Sequence, residues 1–445
     1  MRRAAREGGI MNVQKETAIA LASLGWRSTA ASAISVVLAV SLVICAPAAR
    51  AESWGEVVLH AFELSDGADP IGLIQGRDGN FYGATRNGGE NMGVDGATFV
   101  GTLFKLTPLG TLTTLHSFCS RAKCTDGADP QGLIQGRDGN FFGTTSAGGA
   151  NERGTVFKLT VAGQLTTLYS FCSKANCADG AYPQAGVIQG SDGNFYGITA
   201  GGGAPNPNLV KDGPGTVFKI TPAGSLTTLY TFTGGADGAS SGTGLIQGSD
   251  GNFYGTTDSD GDSSGTLFKI TPSGQLTSLH WFAAGVHPNV LAQGRNGNFY
   301  GTTSAIGDSG TVFKMTPSGT FSTLYSFSGG MDSGGTDGAS PLAGLVQGRD
   351  GNFYGTTAAG GANQAYDSRD GAGTVFKITP SGSLTFFYSF CSKDKCADGA
   401  HPNGLIQGRD GNFYGTTGLP EGVVFEVGTS LPTPAPTATP APVNR

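Results

Sequence analysis

Residues 132–145 read Gly-Leu-Ile-Gln-Gly-Arg-Asp-Gly-Asn-Phe-Phe-Gly-Thr-Thr, and this stretch occurs seven times in the chain with few changes. Its Asp-Gly or Asn-Gly turn supplies the positive φ of a tight hairpin between two apolar segments. The turns recur at intervals of roughly fifty residues and begin at Asp78, Asp138, Asp192, Asp250, Asn296, Asp350 and Asp410. A β-rich unit of this length, without a helical pattern, is typical of propeller blades rather than helical solenoids.

Two further blocks complete each unit. Copies of the second block begin at Gly101, Gly154, Gly215, Gly265, Gly310, Gly373 and Gly422. The third block follows only six of them, beginning at Leu112, Leu165, Leu226, Leu276, Phe321 and Leu384. Its seventh copy is residues 56–62 (Glu-Val-Val-Leu-His-Ala-Phe), ahead of the first unit. We therefore predict an all-β, seven-bladed β-propeller with four antiparallel strands per blade, closed by pairing of the N-terminal strand in the last blade.

In the second unit, the strands are predicted at residues 130–136, 141–145, 154–160 and 165–171. The connections after strands one and three are short and uniform, and we name the rim that they share the turn rim. Those after strands two and four vary in length and hold the repeated cysteines, and they share the opposite rim, named the loop rim. Variable loops on a rigid scaffold carry binding functions, so we expect a binding face on the loop rim.

The composition fits one toroidal domain spanning residues 52–428. The chain has 445 residues, of which 75 are Gly, and only 13% are charged. Its net charge is −6, and leaving out residues 1–51, with six basic and two acidic side chains, gives −10. An acidic body without a basic stripe argues against a nucleic acid as partner.

The two ends of the chain differ from the repeats. Residues 28–49 form an uncharged, apolar-to-small run that precedes the A-x-A-like sequence Ala49-Arg50-Ala51. We interpret residues 1–51 as a signal peptide, which predicts a secreted, periplasmic or cell-surface protein without a membrane span after cleavage. An uncleaved membrane anchor is the alternative, because the run is long enough to span a bilayer. Residues 429–445 are rich in Pro, Thr and Ala and predict an extended, disordered tail.

Six cysteines form three Cys-x4-Cys pairs in the same loop of three units: Cys119/Cys124, Cys172/Cys177 and Cys391/Cys396. In an exported chain, this spacing predicts three short-range disulfides that fix the shape of each loop. A metal site is the alternative, although no His recurs at a fixed offset from the pairs.

An Asp-Gly-Ala element precedes the innermost strand in every unit but the fifth, and its carboxylates are Asp66, Asp126, Asp179, Asp237, Asp337 and Asp398. Either these groups gather a cation such as Ca²⁺ at the mouth of the channel, or each makes an Asx turn that fixes the start of the strand. No other cofactor is predicted. The same choice, between lining the channel and bonding between blades, applies to Gln75, Gln135, Gln189, Gln247, Gln293, Gln347 and Gln407.

The sequence assigns no catalytic residue. It contains no nucleophile elbow, no His-Glu-x-x-His motif and no phosphate-binding loop. His287 and His401 each precede a proline on the loop rim, and we interpret them as a chance polar pair rather than a catalytic or metal pair.

Taken together, the three blocks resemble the GloVer repeat of bacterial choice-of-anchor tandem repeat proteins. The resemblance extends from Trp54 to Val427 and implies an exported bacterial surface protein without catalytic residues. Family members often end in an anchoring signal, whereas no apolar helix follows the Pro/Thr-rich segment of this sequence. More distantly, the turn Asp-Gly-Asn-Phe-Tyr-Gly is similar to turns of sensor propellers and of streptogramin lyase.

Two functions stay open. The leading hypothesis is a monomeric, non-catalytic binding module for an extracellular polysaccharide or an envelope protein. The alternative is a carbohydrate-active hydrolase or lyase on the propeller scaffold. Its candidate acids lie on the loop rim: Glu90, Asp95, Glu152, Asp212 and Glu421.

Overall fold

The computed structural model describes residues 54–91, 100–203, 213–239, 242–258, 264–305, 308–329, 336–363 and 371–428. These residues form seven antiparallel sheets arranged as a ring, which confirms the predicted seven-bladed β-propeller. The predicted signal peptide and the predicted tail lie outside the described residues.

Each blade is one sheet, and strands are numbered along the chain from β1 (Gly55–Ala61). Blades 1 and 2 contain β2 (Ala68–Gln75), β3 (Phe81–Asn87), β4 (Thr102–Leu106), β5 (Leu112–Ser117), β6 (Ala128–Gln135), β7 (Phe141–Ala147), β8 (Thr155–Leu159) and β9 (Leu165–Ser170). Blades 3 and 4 contain β10 (Ile188–Gln189), β11 (Phe195–Thr199), β12 (Thr216–Ile220), β13 (Leu226–Thr231), β14 (Ile246–Gln247), β15 (Phe253–Thr257), β16 (Ser264–Ile270) and β17 (Leu276–Ala284).

The remaining blades follow in order. Blade 5 contains β18 (Val286–Pro288), β19 (Ala292–Gln293), β20 (Phe299–Ala305), β21 (Asp308–Met315) and β22 (Phe321–Ser326). Blades 6 and 7 contain β23 (Val346–Gln347), β24 (Phe353–Thr357), β25 (Thr374–Ile378), β26 (Leu384–Ser389), β27 (Ala400–Gln407), β28 (Phe413–Leu419) and β29 (Val423–Gly428), with β1 as the outer strand of blade 7. One-turn 3₁₀ segments occur at Ala122–Cys124, Ala175–Cys177 and Asp394–Cys396.

The innermost strand is eight residues long in blades 1, 2 and 7 but only two residues long in blades 3, 4 and 6. The short strands have one extra residue between the Ala at the loop rim and the final Gln, such as Ala185 in blade 3. An extra residue interrupts a ladder as a bulge does. Blade 5 has the shorter spacing, but Val290 stands where Gly132 has a φ of 129°. A β-branched residue does not adopt that conformation, so the strand divides into β18 and β19.

Aromatic pairs join each blade to the next. In every Asn-Phe-Tyr-Gly or Asn-Phe-Phe-Gly copy, the two rings of strand two each meet a ring of a different neighbouring blade. The centroids of the seven pairs are 4.0–4.4 Å apart: Tyr82/Phe141, Phe142/Phe195, Tyr196/Phe253, Tyr254/Phe299, Tyr300/Phe353, Tyr354/Phe413 and Phe81/Tyr414. Aromatic pairs of this kind contribute about 0.5–1.5 kcal/mol each beyond their buried area.

The repeated glutamines form a belt of hydrogen bonds around the turn rim. Gln135 donates from Nε2 to the carbonyl of Gly139 at 2.8 Å, and its Oε1 accepts the backbone N–H of Arg77 in the preceding blade at 2.9 Å. The same interblade bond recurs in every blade, and Arg409 N–H to Gln75 Oε1 closes the circuit. The interpretation of these glutamines as interblade hydrogen-bonding residues is therefore confirmed.

Six of the seven turns contain an aspartate that accepts the backbone N–H of the following Asn. In five of them, a lysine of strand three lies within 3.9 Å of the carboxylate. Asp250 accepts hydrogen bonds from the backbone of Asn252, from the Asn252 side chain and from the Tyr254 hydroxyl at 2.7–3.1 Å. Lys269 lies 3.0 Å from the same carboxylate. Although desolvation works in the opposite direction, these hydrogen bonds lower the pKa of Asp250 to about 2.

The ring closes where β1 pairs with β29, in register from Gly55 opposite Gly428 to Ala61 opposite Val423. This seam differs from the other blade boundaries. Trp54 stacks on Phe387 at 4.1 Å. Glu56 occupies the place that Leu or Phe takes in the other six blades. Its side chain is fully buried, with Oε2 bonded to Lys393 Nζ at 2.6 Å, whereas Oε1 has no hydrogen-bond partner among the described residues.

We expect Glu56→Leu to stabilise the protein by about 1–3 kcal/mol at pH 8, because replacing a buried ion pair with an apolar residue is often stabilising. Burial raises the folded-state pKa of Glu56 despite the attraction of Lys393. The ionised side chain therefore weakens the folded state above that pKa, and protonation at lower pH removes the penalty. The gain should accordingly be larger at pH 8 than at pH 4 in urea unfolding. Glu421→Leu, at an exposed glutamate of the same blade, is the control and should change stability little.

Candidate functional site

A repeated interblade hydrogen bond shapes the inner part of the loop rim, and we name it the clasp. It is made by the backbone of the middle residue of the sequence Ala-x-Pro, at the loop-rim end of strand one. Asp129 has a φ of 54°, and its N–H donates to the carbonyl of Val100 in blade 1 at 3.2 Å. Tyr182 has a φ of 56° and donates likewise to Arg153 in blade 2 at 2.9 Å. The left-handed conformation and the interblade bond recur at Asp69, Ser340 and His401.

The proline after the clasp packs against the glycine that opens strand three of the preceding blade. A Cβ atom at Gly154 would lie 2.8 Å from Cδ of Pro183, and one at Gly373 would lie 2.7 Å from Cδ of Pro402. A proline lies within 3.1 Å of the added Cβ in six of the seven copies of the second block, and at Gly215 the nearest atom is instead the carbonyl oxygen of Thr199, at 2.3 Å. The contact with the proline fixes the backbone on which the residue before the proline is presented.

The residue before this proline is one of four types, Asp, Tyr, His or Ser, in the six blades that have the proline. We name these positions the mouth residues, and they are Asp69, Asp129, Tyr182, His287, Ser340 and His401. All six are partly exposed, although His287 lies in β18 with ordinary backbone angles. The backbone at these positions is thus repeated, while the side chains vary. On the turn rim, by contrast, both the backbone and the side chains repeat.

Two mouth carboxylates lie on neighbouring blades. Burial raises the pKa of Asp69, and Arg86, 4.0 Å from its Oδ2, counteracts the shift. Burial also raises the pKa of Asp129, which accepts a hydrogen bond from the Ser146 hydroxyl and is further affected by the charge of Asp69. Sequence reasoning missed both groups because it concentrated on Asp-Gly-Ala. The available signal was the changing middle residue of the Ala-x-Pro sequence that five of the seven blades share.

The six Asp-Gly-Ala carboxylates do not gather at one point. Each accepts the backbone N–H of a residue three to nine positions earlier, in the loop that leaves strand four. Each also bonds the Tyr or His of strand four: His60, His116, Tyr169, Tyr230, Tyr325 and Tyr388. Among the described residues, no three Asp, Glu, His or Cys side chains are grouped so that they could hold a metal ion.

The interpretation as Asx turns is wrong, because an Asx turn bonds the backbone that follows the aspartate. Here the loop doubles back before Asp-Gly-Ala, so each carboxylate bonds the start of the loop that precedes it. Asp126, fully buried, accepts from the N–H of Ser120 and from its hydroxyl, at 3.1 and 2.7 Å. Burial alone would raise the pKa of Asp126, but the bonds from His116 and Ser120 hold it below its ordinary value.

Ser120, His116 and Asp126 meet without forming a catalytic triad. His116 Nε2 lies 3.1 Å from Asp126 Oδ2, the oxygen that also accepts the Ser120 hydroxyl. In a triad, the imidazole bonds the nucleophilic hydroxyl and can remove its proton. Here the serine bonds the carboxylate instead, so the arrangement caps a loop.

The structure joins the three cysteine pairs as disulfides, Cys119–Cys124, Cys172–Cys177 and Cys391–Cys396, with Cα atoms 4.0 Å apart in each. This agrees with the pairing expected from their spacing. The bond closes the same loop that the buried aspartate caps, as at Asp179, which accepts the N–H groups of Ser173 and Lys174 at 2.9 and 3.2 Å. Each of these loops is therefore fixed by two internal constraints, the disulfide and the hydrogen bonds to the buried aspartate.

The other candidates of the loop rim stand apart. Glu90, Glu152 and Glu421 are exposed and belong to three different blades. His287 bonds Asp258 through Nδ1, and His401 lies two blades away. Asp95 and Asp212 lie outside the described residues.

Comparison with known proteins identifies the repeat. A family model described as the Gloeobacter/Verrucomicrobia repeat matches residues 51–264, 206–366 and 249–433. The chain belongs to this repeat family. The resemblance to the GloVer repeat is thereby confirmed. No curated protein matches the sequence.

Solved structures similar to this Gloeobacter/Verrucomicrobia repeat protein share its fold. A streptogramin B lyase has a TM-score of 0.56 at 16% identity, covering 84% of this chain and 97% of its own. A virginiamycin B lyase from Staphylococcus aureus has a TM-score of 0.55 at 15% identity, covering 84% and 98%. A catalytically inactive form of that lyase with quinupristin scores 0.55 at 14% identity, covering 84% and 99%. At these identities, the likeness shows the propeller architecture alone.

Most repeated residues of this Gloeobacter/Verrucomicrobia repeat protein thus have structural roles. They form the interblade aromatic pairs, the glutamine hydrogen bonds of the turn rim, the aspartate caps of the loops and the clasps. The residues that vary on a repeated frame are those of the loop rim. In the described part of the chain, no helix is long and apolar enough to cross a membrane.

Proposed function

We propose that the protein is an exported, non-catalytic binding module whose loop rim contacts an extracellular polysaccharide or an envelope protein. The observation that carries the proposal is the set of mouth residues. One backbone clasp, bonded to the preceding blade, presents Asp, Asp, Tyr, Ser and His at equivalent positions. The backbone frame serves the fold, and the side chains on it change from blade to blade, as expected for recognition.

Rigid presentation favours binding. The disulfides and the buried aspartates order the outer loops before any ligand arrives, which lowers the entropy lost on association. Tyr182 is an amphipathic side chain at the mouth, with Arg153 positioned 5.0 Å from its ring centroid. Tyr and Arg are enriched among residues that dominate binding energy.

One observation favours a second candidate, a hydrolase or lyase acting on carbohydrate. Burial raises the pKa values of Asp69 and Asp129 beside Arg86. A carboxyl that stays protonated nearer neutral pH is what a general acid requires. The pair lies at the mouth, not among the exposed glutamates that the sequence singled out.

The experiment compares binding and turnover on the same ligands. A panel of extracellular polysaccharides and envelope fragments is titrated against the wild type, Tyr182→Ala and Lys314→Ala, and the products are analysed for chain cleavage. We expect at least one ligand to bind without being cleaved, with tenfold or greater weakening in Tyr182→Ala. Lys314→Ala, on the turn rim, should bind normally. Cleavage that disappears in Asp69→Asn or Asp129→Asn would overturn the binding proposal in favour of the enzyme.

A further inference from the structure

The cations of the two rims are used differently. On the turn rim, five lysines lie 2.8–3.9 Å from turn aspartates: Lys105, Lys158, Lys219, Lys269 and Lys377. Five arginines donate to a carbonyl of the next turn: Arg77, Arg137, Arg295, Arg349 and Arg409. These groups are engaged in holding the ring together.

Cations on two disulfide loops are not engaged in this way. Arg121 and Lys123 lie in the loop closed by Cys119–Cys124, and Lys174 lies in the loop closed by Cys172–Cys177. All three are exposed, and their side chains make no hydrogen bond or ion pair with the described residues. The third loop is different, because Lys393 bonds Glu56 and Asp394 stands between its two lysines.

A cleft of about 520 Å³ opens in blade 2, lined by Ala150, Asn151, Thr167, Leu168, Tyr169, Ser170 and Ser173. Its size lies within the range of about 300–1,000 Å³ typical of small-molecule sites. The lining offers hydroxyl and amide groups and no carboxylate. Burial raises the pKa of Tyr169 to about 12, so this hydroxyl is neutral at physiological pH.

Both cationic loops border this cleft. Ser173 belongs to the second loop and lies in the lining, directly before Lys174. The first loop contacts the other lining segment, because the carbonyl of Cys124 accepts the N–H of Gly149 at 2.9 Å, next to Ala150 and Asn151. The polar part of the lining thus consists of hydroxyl and amide groups, two of which, Tyr169 and Ser173, also donate to the buried Asp179 carboxylate at 2.7 and 2.9 Å. The exposed cations lie on the two adjoining loops.

We propose that the blade 2 cleft, with Arg121, Lys123 and Lys174, binds an acidic polysaccharide that carries carboxylate groups. The sugar hydroxyls bond the polar lining, and the carboxylates of neighbouring sugars pair with the flanking cations. Charge-assisted hydrogen bonds of this kind are stronger than neutral ones. The inference rests on the proposed function, because it names the ligand class of the same rim.

Blade 6 offers a natural variant of the cleft. Its strand four, β26, has Phe386 and Phe387 where β9 has Thr167 and Leu168. Thr167→Phe therefore introduces a side chain that the fold already accommodates at the equivalent position. It should fill the cleft without changing the melting temperature.

The test titrates the disulfide-bonded chain with polygalacturonate and, in parallel, with neutral dextran. We expect polygalacturonate to bind and dextran not to, with affinity falling about tenfold or more between 50 and 500 mM salt, because salt screens exposed charges. The triple variant Arg121→Gln/Lys123→Gln/Lys174→Gln and the variant Thr167→Phe should each lose at least tenfold. Lys314→Gln is the matched control on the opposite rim, since Asn296 replaces the turn aspartate there and this lysine has no ion pair among the described residues.

Equal binding of dextran, or a triple variant that binds polygalacturonate as the wild type does, would overturn the acidic-ligand proposal. If Tyr182→Ala then still abolished binding of another ligand, the loop rim would stand as the binding face with a different ligand class. Failure of every ligand to respond to either set of variants would overturn both proposals together.

Discussion

A chain that begins at Glu63, and so lacks β1, should not fold into a stable monomer. Removing β1 exposes the whole edge of β29 and deletes Leu59 and Phe62 from the core that they share with Phe104 and Val424. Loss of a buried Phe side chain alone costs about 3–5 kcal/mol. Typical domains are stable by only about 5–15 kcal/mol in total. We therefore expect loss of the cooperative thermal transition and association through the free edge.

The control is a chain that begins at Glu52, which retains β1 and removes only the predicted signal peptide. It should unfold cooperatively and elute as a monomer in size-exclusion chromatography. A truncated chain with the melting temperature and elution volume of this control would show that the closure is dispensable.

Gly373→Ala should destabilise the protein by at least about 3 kcal/mol, the scale of severe core substitutions. Gly373 has a φ of 94°, and an added Cβ would lie 2.3 Å from the carbonyl oxygen of Thr357 and 2.7 Å from Cδ of Pro402. The first obstacle is backbone of the same blade and the second is the interblade clasp, so neither moves away without opening the boundary between blades 6 and 7. Urea unfolding measures the loss.

Gly351→Ala is the control that separates the steric clash of an added Cβ from the cost of the positive φ. Gly351 has a similar φ of 85°, but no atom lies within 4 Å of its added Cβ. It should cost only the left-handed conformation of a non-glycine residue, about 1–2 kcal/mol. Equal losses in the two variants would refute the role of the clasp.

Internal repetition made the ring predictable. Seven copies of each block, with the seventh copy of the third block ahead of the first unit, predict the pairing of β1 with β29 that the structure shows. The predicted strands of blade 2 agree with the observed ones within two residues at each end. Alternation and turn chemistry specify such strands locally, so no long-range information is needed.

Features at blade boundaries were harder to predict. The division of strand one in blade 5 depends on the φ that Val290 cannot adopt. The buried Glu56 depends on what the preceding blade presents to it, namely Lys393 and Tyr388. Both are properties of contacts between units, and a pattern read within one unit does not contain them.

The sequence predicts a candidate site at the level of the rim but not of the residues. Variable loops and cysteine pairs indicate the loop rim as the candidate binding face. The Asp-Gly-Ala carboxylates attracted attention because they repeat, and the structure gives them a capping role. The mouth residues carry less sequence signal because they differ from blade to blade.

Hydrogen-exchange mass spectrometry with and without a bound polysaccharide tests the central claim most directly. That claim is that the loop rim binds the ligand while the turn rim holds the ring together. The account predicts ligand-dependent protection in the loop-rim segments 119–131, 146–154 and 172–184. Exchange should be unchanged in the Asp-Gly-Asn turns, such as residues 137–140. Protection confined to the turn rim, with none on the loop rim, would contradict it.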